Sequence, residues 1–239
     1  MLTRCVGISK GERILKIRCA DSALCLMHRD SSVCWCVPSG WQGLLVFRPG
    51  LQVVSGDAGV LPFSEAGLVK LQFFIDQGVN SNIRSARGLP CVSLRNNSGM
   101  GCSAQEFESW YLTLALQNRA DYQAFARELR CSESYRLLGF LLEQGSTSEK
   151  LQDLAGRYGV SVSHFRRLCR QALGGAAKSE LREWRTARAL LCMADGVNSL
   201  TSIALEFGYA SSSHFSKEIR ELVGVAPSSL IDITRLSSE

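Results

Sequence analysis

The chain has 239 residues, 46% of them apolar and 21% charged, enough to fill one large core or two small ones. Its formal charge of +5 is mild, and three histidines leave little material for acid–base catalysis. The start, "MLTRCVGISKGER", shows no apolar run followed by a small-residue cleavage site, and no stretch reaches about eighteen uninterrupted apolar residues, so the expectation is a cytoplasmic protein without a membrane span.

Residues 1 to about 60 read as short strands, "RILKIRCA", "SVCWCV", "GLLVFRP" and "LQVV", punctuated by glycine and proline. After Pro62, "SEAGLVKLQFFIDQ" places Leu68, Leu71, Phe74 and Ile75 at helical spacing. The polar segment "GVNSNIRSARGLPCVSLRNNSGMG" reads as loop, and helical character returns in "SAQEFESWYLTLALQNRADYQAFARELR". The ten cysteines include Cys34 and Cys36, one residue apart, which suits a strand better than a zinc knuckle. Cys19 and Cys25 have no partner pair at a familiar spacing. In a reducing compartment these thiols are expected to act as small buried hydrophobes, with no metal and no cofactor.

From Ser132 onward strands give way to about seven helices. "SESYRLLGFLLEQG" is one amphipathic helix, and Ser146 with Glu149 has capping-box spacing for the next. "SVSHFRRLCRQALGG" follows, with Ser161 as N-cap and Gly174 as stop. A longer helix, "AKSELREWRTARALLCMADG", ends near Gly196, and a final short segment starts at Pro227.

One phrase occurs twice. Ala155, Tyr158 and Gly159 match Ala204, Phe207 and Gly208 at an offset of 49. After one extra turn residue, His164, Phe165, Cys169 and Gly174 match His214, Phe215, Ile219 and Gly224 at an offset of 50. A short helix, a glycine-bearing turn and a second helix form a helix-turn-helix unit.

On a helical wheel, Val162, Phe165, Leu168, Cys169 and Leu173 make an apolar face in the first copy, as do Phe215, Ile219, Leu222 and Val223 in the second. The polar stripe beside each carries matching quartets: Ser163, Arg166, Arg167 and Arg170, then Ser213, Ser216, Lys217 and Arg220. Such residues can read base edges in a major groove. A single copy is equally a solvated charged face; two copies with matching core and quartet favour DNA recognition. The equivalence of His164 and His214 favours helix packing or backbone contact over catalysis.

Between Arg157 and Arg188 there are eight Lys or Arg and only two acids, a local footprint for a polyanion. Lys178, Arg182, Arg185 and Arg188, on the linker helix, are placed for phosphates or for acids nearby. From Asn198 to Leu230, by contrast, there are two basic residues and three acids. The first unit is therefore expected to anchor and the second to read shape.

At this point "LAGRYGVSVSHFRRLCRQALGGAAKSELREWRTARALL" and "IALEFGYASSSHFSKEIRELVGVAP" resemble the AraC/XylS family of bacterial transcription regulators. "SYRLLGFLL" and "HFSKEIRELVGV" resemble the InvF-type activators of type III secretion genes in particular. "LVFRPG" and "FFIDQG" extend that likeness weakly into the N-terminal half. The resemblance implies promoter DNA and RNA polymerase as partners, a type III secretion chaperone as coactivator, and a homodimer as one assembly. It also implies that the two quartets include base-reading and backbone-contacting positions.

The expected architecture is an α+β N-terminal domain over 1–131, strand-rich, cupin-like, regulatory or dimerising, followed by an all-α DNA-binding domain over 132–239. The latter holds helix-turn-helix units over about 149–174 and 199–224, joined by a linker helix over 177–193. The alternative is an N-terminal half that senses a small molecule, which needs a cavity with converging polar groups that no motif reveals. No hydrolase elbow, P-loop, dinucleotide fingerprint or metal-binding histidine pair is present, so an enzyme is not expected.

Overall fold

In the computed structural model the described residues are 14–19, 22–29, 34–47, 51–56, 58–61, 64–79, 91–95, 103–144, 150–194, 199–227 and 229. They fall into two units, Met1–Tyr135 and Arg136–Glu239. The first contains strands and helices; the described elements of the second are all helical.

The first unit begins with six short strands: β1 (Ile14–Cys19), β2 (Leu24–His28), β3 (Cys34–Val37), β4 (Gln42–Phe47), β5 (Leu51–Ser55) and β6 (Ala58–Leu61). After helix α1 (Glu65–Val79) comes a seventh, β7 (Cys91–Arg95). They form two antiparallel sheets, ordered β6-β1-β4-β7 and β3-β2-β5. Ile17, Leu24, Leu26, Val37, Trp41, Leu45, Leu51 and Ala58 fill one core shared by both sheets. Gly43 is needed where the sheet meets Trp41, because a Cβ there would overlap the Trp41 ring and the Leu94 carbonyl.

Three strands were not expected from the sequence. β2 alternates Leu24 and Leu26 inward with Cys25 and Met27 outward, a pattern too short to stand out alone. β6 pairs with β1, and β7, expected as loop, pairs with β4 with Val46 opposite Val92 and Leu44 opposite Leu94. Long-range pairing creates β7, in which Leu94 is buried.

The cysteine expectation also needs correction. Among described side chains Cys169 is buried, Cys25 and Cys192 are half-buried, and Cys34, Cys36 and Cys131 are exposed. Cys25, Cys34 and Cys36 occupy the outward phase of strands whose inward phase is Leu24, Leu26 and Val37.

The helical stretch after β7 divides in two. α2 (Ala104–Gln117) opens on a capping box between Ser103 and Glu106 and closes on Asn118 in the left-handed region, and α3 (Ala120–Arg130) follows. Buried polar groups tie these helices together. Gln72 of α1 accepts from Tyr111 at 2.6 Å and Tyr122 at 3.0 Å, and donates to Asp76 at 3.0 Å. Arg130 forks onto both Asp76 oxygens at 2.9 and 2.6 Å, and Tyr135 adds a 2.7 Å bond. Burial works to raise the Asp76 carboxyl, but these donors outweigh it and hold its pKa below the ordinary value.

The division between the units falls within α4 (Glu133–Gln144). α5 (Leu151–Tyr158), α6 (Val162–Leu173), α7 (Ala177–Ala194), α8 (Leu200–Glu206) and α9 (Ser212–Val223) complete the second unit. Ser146 and Glu149, expected as a capping box, lie outside the described residues, as does the end near Gly196. Six described helices stand where about seven were expected; the segment from Pro227 lies at the edge of what is described.

Candidate nucleic-acid interface

The two repeats fold alike because the same residue types do the same local work. Ser161 and Ser211 cap α6 and α9, each hydroxyl accepting the N–H of the residue three ahead, His164 and His214, at 3.3 and 3.1 Å. Gly159 and Gly208 take φ of +80° and +70° in the turns, and Gly174 and Gly224 take +76° and +85° at the helix ends. A Cβ at Gly159 would meet nothing within 4 Å, so its left-handed backbone, and not space, selects glycine.

Ala155 and Ala204 are both fully buried, on helices α5 and α8 that pack against α6 and α9 respectively. In the first repeat Phe140 stands edge-on to Tyr158 and Phe165, which are tilted against each other, with centroids 4.9 to 6.2 Å apart. In the second, Ala189 and Met193 of α7 join Ile203, Phe207, Tyr209, Phe215 and Ile219 in one core.

This packing turns the quartets outward. Ser163, Arg166, Arg167 and Arg170 are exposed on α6, and Ser213, Lys217 and Arg220 are exposed on α9, with Ser216 half-buried. Each helix thus presents polar groups along one side while its aromatic anchor holds the other. His164 and His214 are exposed, and the His214 ring stands edge-on to Tyr209 at 5.8 Å.

The end of α9 departs from expectation. Leu222 and Val223 are 41% and 45% exposed, whereas their counterparts Ala172 and Leu173 are 0% and 2% exposed. After α6 the chain turns directly into α7, which packs against it.

The linker cations divide. Lys178 is exposed. Arg188 donates to the Leu142 carbonyl of α4 at 3.1 Å. Arg182 and Arg185 reach the acids of α9: Arg182 pairs with Glu218 at 3.1 Å and Glu221 at 2.7 Å, and Arg185 with Glu218 at 3.0 Å. Arg185 also lies over the Tyr209 ring, 4.4 Å from its centre.

Sequence reasoning missed the hub of this arrangement. Glu218 is 5% exposed and accepts from Arg185, from Thr186 at 3.0 Å and from Tyr209 at 3.1 Å. Burial works to raise its carboxyl, but Arg185, Thr186 and Tyr209 outweigh that and hold the pKa below the ordinary value. A signal existed: at the offset of 50, Glu218 stands where the first copy has Leu168, an acid on an apolar stripe.

Comparison with known proteins places this geometry. A helix-turn-helix domain family matches residues 154–232. The invasion protein InvF of Salmonella typhimurium is 40% identical over 201 residues, 83% of this chain and 93% of that protein. The transcriptional regulator MxiE of Shigella flexneri is 40% identical over 110 residues, 45% of this chain and 52% of that protein. The solved structure of ToxT from Vibrio cholerae aligns with 91% of this chain and 89% of its own at 12% identity and a TM-score of 0.39. With a helix-turn-helix family matched over 154–232 and kinship over most of the length of InvF, the chain belongs to the AraC/XylS family of helix-turn-helix transcription regulators.

Proposed function

We propose that the chain activates type III secretion genes by setting α6 and α9 into successive major grooves of one promoter. The carrying observation is the pair of outward quartets on helices with matching caps, turns and aromatic anchors. Arg166, Arg167 and Arg170 supply charge and bidentate donors; Ser163, Ser213, Ser216, Lys217 and Arg220 extend the reading surface. Lys178, exposed at the start of α7, is the linker's phosphate contact. The gene set follows the kinship with InvF and MxiE.

The first unit is the regulatory half, acting in the cytoplasm with a secretion chaperone as coactivator, RNA polymerase as target and a homodimer as its assembly. Two antiparallel sheets around one apolar core support a cupin-like reading of that half. Footprinting on the promoter beside the gene, with transcription measured in parallel, tests the proposal. Protection over two adjacent grooves, with transcription rising only when the neighbouring chaperone is added, is expected. Absence of protection overturns the DNA reading, and activation by a metabolite with purified components alone overturns the partner reading.

A further inference from the structure

The outer face of the β3-β2-β5 sheet carries a group of thiols that promoter binding does not use. Cys25 on β2 stands directly opposite Cys36 on β3. Cys34 lies two residues before Cys36 and so shares its face of the strand. The Sγ atoms of all three lie within 4.8 Å of one another, with Cys25 and Cys36 at 2.7 Å and Cys34 and Cys36 at 3.8 Å. Ser55 is the register partner of Cys25 on β5.

We propose that Cys25, Cys34 and Cys36 bind one thiophilic d10 cation, of the zinc(II) or copper(I) class, with a coordination position open to solvent. Thiolate–zinc bonds of about 2.3 Å put the sulfurs of a tetrahedral site about 3.8 Å apart. Cys34 and Cys36 already stand at that separation. Cys25 and Cys36 need to part by about 1 Å, a small side-chain rotation at a half-buried and an exposed position. Three sulfurs without a carboxylate select a soft ion over magnesium or calcium.

A disulfide needs two sulfurs; a third at ligand distance is what an ion uses. A regulator that works on promoter DNA sits in a compartment that keeps thiols reduced and free to ligate. Three ligands in place of the four of a closed structural site leave the ion exchangeable. Loading ties the edge strand β3 to β2 and releases thiol protons.

The test uses full-length protein, stripped of metal and kept reduced with a phosphine. Cobalt(II) is titrated in while thiolate-to-metal charge-transfer and tetrahedral d–d absorption are followed, and zinc(II) is then used to displace it. A second arm measures copper(I) against a chromophoric competitor. One equivalent should bind; Cys25→Ser, Cys34→Ser and Cys36→Ser should each weaken it roughly tenfold or more, and Cys131→Ser should leave it unchanged. Cobalt and zinc binding assigns a four-coordinate site and copper binding alone a trigonal one, and either supports the proposal. Failure of every ion to bind at one equivalent overturns it, as does binding that survives all three serines together. If circular dichroism shows that Cys25→Ser disturbs the sheet, Cys34→Ser, exposed on the edge strand, decides the matter.

Discussion

At one equivalent position the first helix-turn-helix unit has Leu168 and the second has Glu218, and the second helices of the two units, α6 and α9, are held accordingly. α6 sits on an apolar bed, with Ala172 and Leu173 buried up to its last turn. α9 leaves Leu222 and Val223 half in solvent and is held instead by a buried carboxylate bonded to Arg185, Thr186 and Tyr209. The difference also redistributes charge. Two of the three acids that set the second unit apart in sequence, Glu218 and Glu221, are paired with Arg182 and Arg185, which belong to the basic window of the first. A charge count along the chain therefore overstates the contrast that DNA would meet.

The largest test of this comparison is Glu218→Ala. It leaves Arg185 buried without its partner and should destabilise the second unit by about 3–5 kcal/mol, measured by denaturant unfolding. If the first unit's solution is transferable, Arg185→Met with Glu218→Leu should recover most of that loss. An acid titration sharpens the same point. The folded pKa of Glu218 is depressed, so its contribution is present above the ordinary glutamate range and is lost as pH falls through the folded value. The stability gap between wild type and Glu218→Gln should accordingly be flat near neutrality and close in acid.

Next in size is DNA affinity. Arg167→Ala should cost about 1–3 kcal/mol of promoter binding, about fivefold to more than a hundredfold, and flatten the salt dependence. Lys217→Ala should leave much of the binding in the same titration. Equal losses would break the division into an anchoring and a reading unit. The smallest effects should be the same in both units: Ser161→Ala and Ser211→Ala each remove one cap and should cost about 1 kcal/mol in thermal or denaturant unfolding.

The helix-turn-helix units were legible because their signals are local. Ser161, Gly159 and the spacing from Phe165 to Leu173 act within a few turns of chain, and each acts as expected. What escaped depends on partners far along the sequence. β7 becomes a strand only against β4, some 45 residues earlier. Glu218 finds Arg185 across 33 residues. Cys25 and Cys36 meet through strand register, which ligand-spacing rules do not capture. Leu222 and Val223 read as core because the wheel assumes a neighbour along the whole helix, whereas they are 41% and 45% exposed.

The stitches on α7 have a consequence for the promoter. Its 18 residues span about 27 Å, and it is fastened to α4 through Arg188 and to α9 through Arg182 and Arg185. Such a rod fixes the angular phase between α6 and α9 as well as their separation. One residue inserted into α7 would turn everything beyond it by about 100° and rise by about 1.5 Å. If α6 and α9 read DNA as proposed, operator spacing is set by the length of one helix, and an activator of this build would be retuned to a new promoter by changing base contacts on α6 and α9, with the rod left alone.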